Sequence, residues 1–95
     1  MEVYILKYQS RSLYEINQIK TIPFEDFNDA LETGIRIALL KKFPLFKENI
    51  DLLRKNGHSQ NPEWIATETN QKVWIDKIQV LNRMMDLEEV ENYII

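Results

Sequence analysis

His58 is the only imidazole in the chain, and Ser10, Ser12 and Ser59 are its only serines. A hydroxyl nucleophile needs a base within hydrogen-bond reach and a third group to orient that base. His58 sits in the run Gly57-His58-Ser59-Gln60-Asn61, whose polar neighbours make a poor ligand or catalytic set, so it reads as a solvated loop histidine. No serine lies in the Gly-x-Ser-x-Gly context of a strained nucleophile turn. Cysteine is absent, which removes thiolate catalysis, disulfides and cysteine–zinc centres.

Carboxylates are more numerous. Glu25, Asp26, Asp29 and Glu32 crowd one short stretch, and Asp29 and Glu32 are close enough on a helical face to share a divalent ion. Nothing nearby in sequence completes such a site, and acids at a helix start are favoured by the helix dipole alone. Asp86, Glu88, Glu89 and Glu91 form a second acidic run without calcium-loop spacing. The only glycines are Gly34 and Gly57, too few for a phosphate loop or a dinucleotide fingerprint. The expectation is a protein without cofactor or metal, and not an enzyme.

The net charge is −3, which on average repels nucleic acid and anionic membrane. The charge is partitioned. Residues 23–35 carry four acids and no base, whereas residues 36–55 carry Arg36, Lys41, Lys42, Lys47, Arg54 and Lys55 against Glu48 and Asp51. Those six bases are the candidate nucleic-acid contacts, should they converge across Pro44. No zinc-finger or single-strand-binding signature accompanies them. The longest aliphatic run, Ile37 to Leu40, is far short of the roughly 20 residues a membrane span requires. No basic start leads into an apolar stretch and cleavage site, and a cytoplasmic location without membrane insertion is expected.

These residues need elements to hold them. Pro23 to Phe43 has the clearest helical period, with Phe24, Phe27, Leu31, Gly34, Ile35 and Ala38 on one face. Gly34 and Ala38 on that face invite close approach of a neighbour. Ile37 and Leu40 fall off the stripe, so the second half of this helix is apolar nearly all round. Ser12 and Glu15 have capping-box spacing ahead of Leu13, Ile16 and Ile19. After Pro44, a further helix runs to Asn56, with Leu45, Phe46, Ile50 and Leu53 inward and Gly57 beyond its end.

Asn61-Pro62 suits a helix start over Trp64 to Ala66. A main C-terminal helix then places Val73, Trp74, Ile78, Leu81 and Met85 together, and Asp86 with Glu89 caps a last short helix bearing Val90, Tyr93 and Ile94. Residues 1–8 suit a strand by composition, but no second strand is evident to pair with them, so a first helical turn or an extended arm over the core stands as the alternative, with some helical character preferred. The spacing therefore predicts one all-α domain over residues 1–95, a small irregular bundle of four to five helices.

Apolar side chains in excess of polar chemistry point to an interaction module such as an adaptor, inhibitor, immunity-like protein or assembly component. The partner is another protein or a second copy. Ile37, Leu40, Trp64, Tyr93, Ile94 and Ile95 are the expected apolar contacts, with Lys41 and Lys42 facing an acidic partner. The alternative is a nucleic-acid accessory protein using the basic 36–55 stretch.

Overall fold

Four segments alternate with period two and pair edge to edge. In the computed structural model, which describes residues 1–10, 18–68 and 71–94, strand β1 (Glu2–Ser10) and strand β2 (Gln18–Phe24) precede helix α1 (Phe27–Lys41) and helix α2 (Lys47–Asn56). Strands β3 (Glu63–Glu68) and β4 (Gln71–Gln79) follow, and helix α3 (Leu87–Ile94) comes last. The strands form one antiparallel sheet in the order β2-β1-β4-β3. The chain is thus an α+β protein, not the all-α bundle that helical spacing predicts.

The correction has a physical cause. Over nine residues, QKVWIDKIQ satisfies a helical or an alternating pattern, and periodicity alone cannot separate them. Pairing decides. β1 is a central strand whose backbone groups must be satisfied on both sides, and β4 supplies one side along its full length, from Glu2 opposite Gln79 to Ser10 opposite Gln71. Trp64 to Ala66, expected as a helical turn, belongs to β3. Pro23 is not a first-turn residue but lies in edge strand β2, where a missing N–H costs no ladder bond if it faces away from β1. Ile19 and Lys20 are also in β2; Ser12, Leu13, Glu15 and Ile16 lie outside the described residues.

Helix α1 starts one turn later than expected. Asp26 is its N-cap, with Oδ1 accepting from the Asp29 N–H at 3.1 Å. Its stripe is otherwise the one read from the sequence: Phe27, Ala30, Leu31, Gly34, Ile35 and Ala38 are buried. It packs on the sheet rather than on another helix. A Cβ on Gly34 would stand 2.5 Å from Ile65 Cδ1 and 2.9 Å from Leu6 Cδ1, so glycine lets the helix settle against β3 and β1.

The core lies between α1 and one sheet face. Leu6, Ile65, Ala66, Val73 and Ile75 come from the strands, and Ile50 and Leu53 from α2 close the β3 side. Each large aliphatic side chain so buried contributes about 1.5–3 kcal/mol relative to exposure. The β3 edge is covered: Phe46 N–H donates to Ile65 O at 2.8 Å, and Asn49 Nδ2 donates to Trp64 O. Gly57 follows α2 with φ of 76°, a conformation that favours glycine.

Candidate interaction surface

Alternation dictates what the opposite sheet face carries. Leu6 points to α1, so Val3, Ile5, Lys7 and Gln9 point the other way. Cross-strand register then sets four rows. Val3 faces Ile78; Pro23, Ile5 and Asp76 follow; next come Thr21, Lys7, Trp74 and Trp64; Ile19, Gln9, Lys72 and Thr67 complete the face. Helices α1 and α2 both lie on the core side, and the molecule is only 19 Å through its thinnest dimension. That is the thickness of one sheet and one helical layer. Among the described residues no element covers the outer face.

Two tryptophans dominate it. Trp64 and Trp74 are directly opposed across β3 and β4, with ring centroids 5.6 Å apart and planes tilted by 42°. Trp74 Nε1–H donates to Asp76 Oδ2 at 3.2 Å, and Lys7 Nζ reaches the same oxygen at 2.8 Å. The one carboxylate is therefore matched locally, and the rings are held at a fixed angle. Both indoles are half-buried. Sequence reading selected Trp64 but assigned Trp74 to the core, because on a helical wheel the two never meet. Reading Val73, Ile75 against Trp74, Asp76, Ile78 as alternation would have paired them.

Helix α3 is the second unpartnered apolar feature. Of the capping box that the spacing predicts, the Asp86 half forms, with Oδ1 accepting from Glu89 N–H at 2.8 Å, while the Glu89 carboxylate accepts from Arg83. Leu87, Val90, Tyr93 and Ile94 share an apolar stripe about 120° wide, yet no residue of the helix is buried. Leu87 is 81% exposed, Tyr93 82% and Ile94 74%. Arg83 grips Glu89 through two bonds of 2.9 Å, which fixes the corner between the sheet and the helix.

The expected contact residues do not form one patch. Ile37 is half-buried against the core. Leu40 is 83% exposed and, with Lys41 and Lys42, ends α1 on the helical side of the molecule. Trp64 is on the opposite side, Tyr93 and Ile94 are on α3, and Ile95 lies outside the described residues.

The candidate nucleic-acid contacts Arg36, Lys41, Lys42, Lys47, Arg54 and Lys55 are all exposed. Arg54 is engaged by Glu32 through bonds of 2.9 and 3.2 Å. The hydrogen bond from Arg54 holds the Glu32 carboxyl below its ordinary value against a small opposing effect of burial, and Glu32 raises Arg54 in return.

The groups with chemical potential have structural employment. His58 is not a solvated loop residue: its ring lies 5.7 Å from Tyr4 and 5.6 Å from Phe27, centroid to centroid. Its buried Nε2 finds no hydrogen-bond partner among the described residues. Glu63, which sequence reading passed over, is 0% exposed. Its Oε1 accepts from Ser59 N–H, Ser59 Oγ–H and Gln60 N–H at 2.7, 3.1 and 2.7 Å. This carboxylate ties the polar loop to the first residue of β3, and Ser59's hydroxyl is spent on it. Asp26 and Asp86 are caps, while Glu32 and Glu89 hold arginines. Among the described residues no three His, Cys, Asp or Glu side chains are grouped to hold a metal ion, and no helix is long and apolar enough to cross a membrane. Comparison with protein-family models, curated proteins and solved structures finds no match.

Proposed function

We propose that this protein is a protein–protein interaction module, an adaptor, inhibitor or assembly component working in the cytoplasm, and that it binds through the outer face of its sheet. The observation that carries this reading is the Trp64–Trp74 pair, set among Val3, Ile5 and Ile78 with no layer over it among the described residues. Rigid aromatic side chains on a flat apolar surface supply large contact area at little entropic cost, and tryptophan is enriched where binding energy concentrates. Lys7 and Asp76 satisfy one another and Lys72 adds a positive flank, which sets orientation rather than affinity. The function expected of a helical surface is thus moved to a sheet.

Nucleic-acid binding by Arg36, Lys41, Lys42, Lys47, Arg54 and Lys55 ranks second, because Glu32 already holds one of the six. The test is capture from the native source with the chain and with a Trp64→Thr/Trp74→Thr variant, threonine being a good strand residue. The reading expects a protein, self or other, retained by the native chain and reduced at least tenfold by the variant at unchanged circular dichroism. Equal capture by both, or retention of nucleic acid that disappears with salt, would contradict it.

A further inference from the structure

We infer that the occupant of the tryptophan face is helix α3 of a second copy of this chain, exchanged reciprocally about a two-fold axis. The inference rests on the interaction reading above and names its partner. One chain carries both halves of the contact, an open apolar sheet face and an unpartnered amphipathic helix, which is the condition for a closed, isologous dimer.

Size fits. Eight helical residues are about 12 Å long, and four strands span about 19 Å at 4.8 Å spacing. At about 25 cal/mol per Å², the roughly 1.5–3 kcal/mol of a buried large apolar side chain corresponds to about 60–120 Å², so Leu87, Tyr93 and Ile94, with Met84 from the connector, offer on the order of 400 Å² per copy. Two reciprocal dockings, with matching area on each face, bury roughly 1,600 Å², within the roughly 1,200–2,000 Å² of standard stable interfaces. Charge fits as well. Besides the Arg83-bound Glu89, α3 contains Glu88 and Glu91 and no base, whereas Lys72 is the cation of the face beside the Lys7–Asp76 pair.

The connector explains why the helix serves a neighbour and not its own sheet. Val80 is pinned to Met1 by its N–H donating to Met1 O at 2.8 Å, and Arg83 locks the corner onto Glu89. Leu81 and Asn82 remain to set the angle, and α3 stands away from the body. The radius of gyration, 15.5 Å, exceeds the roughly 12 Å of a compact domain of this length. Short connectors that hold an element away from its own chain favour exchange between copies.

Sedimentation velocity from 1 to several hundred micromolar tests the inference, using the full chain, an Ile94→Glu variant and a Trp74→Thr variant. The native chain is expected to reach twice its 11.4 kDa mass. Each variant is expected to remain monomeric where the native chain is dimeric, and an equimolar mixture to recover a 1:1 complex, since one sound helix still meets one sound face. A native monomer throughout, a dimer surviving in both variants, or a mixture that stays monomeric overturns the exchange. If the native chain is monomeric while capture of another protein still depends on Trp64 and Trp74, only the partner is wrong. If that capture fails too, the interaction reading falls with it.

Discussion

At the residue scale, Glu63 is the least dispensable polar group. Three donors converge on one oxygen of a fully buried carboxylate, and truncation removes two backbone hydrogen bonds to a charged acceptor, worth about 1.5–3 kcal/mol each. Glu63→Ala is expected to lower unfolding free energy in urea by about 3 kcal/mol. Glu63→Gln retains a carbonyl acceptor and is expected to lose less than half as much.

Glu32 gives a smaller, pH-dependent term. Its folded pKa is held below the unfolded value by Arg54, so its stabilisation is present above the ordinary glutamate range and is lost as pH falls through the folded value. Arg54→Gln should therefore flatten the acid limb of stability against pH. The difference should shrink in high salt, because the pair is exposed. Neither partnership is read from the sequence: Glu32 and Arg54, 22 residues apart, meet only through the fold, and Glu63, four residues from Ser59, is hidden because Asn61-Pro62 reads as a helix start. One cap was legible, Asp86 accepting from Glu89 N–H; Asp26 reads as an acid inside a helix begun at Pro23, and Asn61 as the cap of a helix where β3 follows.

At the element scale, α1 was readable because fifteen residues contain four turns of one stripe, and its buried set is nearly the predicted one. β4 was not, because nine residues of Val, Trp and Ile fit both periods and the choice depends on pairing with β1. Once that strand is read as a helix, the two tryptophans part and the outer face vanishes. Gly34 gives a test of the layer contact. Gly34→Val introduces atoms where even a Cβ stands 2.5 Å from Ile65, and overpacking should outweigh the propensity gained over glycine. A loss of about 2–3 kcal/mol in denaturant unfolding is expected, and an unchanged midpoint would mean α1 does not sit that close. α3 gives the opposite case. With none of its residues buried, removal of 87–95 should change monomer stability by less than about 0.5 kcal/mol while abolishing association.

At the scale of the whole molecule, one helical layer covers one side of a four-stranded sheet and, among the described residues, leaves uncovered the other side, where two tryptophans, Val3, Ile5 and Ile78 lie among Lys7, Asp76, Gln9 and Lys72. The four to five helices expected from the sequence would have sealed a bundle; among the described residues, α1 and α2 instead share a side of the sheet and α3 buries no residue. Sequence reading expected apolar surface on helices, and Leu40, Leu52, Leu87, Tyr93 and Ile94 are indeed exposed there; what it missed is the tryptophan pair on the sheet. Exposed apolar patches of several hundred Å² mark association sites in soluble proteins, and net charge of −3 does little to oppose contact between copies. The chain has only two tryptophans, and both lie on the open face. Their emission therefore reports directly on that face alone. Acrylamide quenching of tryptophan emission, measured against protein concentration, is expected to show accessible indoles in dilute solution that become blue-shifted and protected as the chain associates. Indoles already protected at the lowest concentration of a monomer, or equally quenchable at every concentration with and without captured partner, would contradict the account.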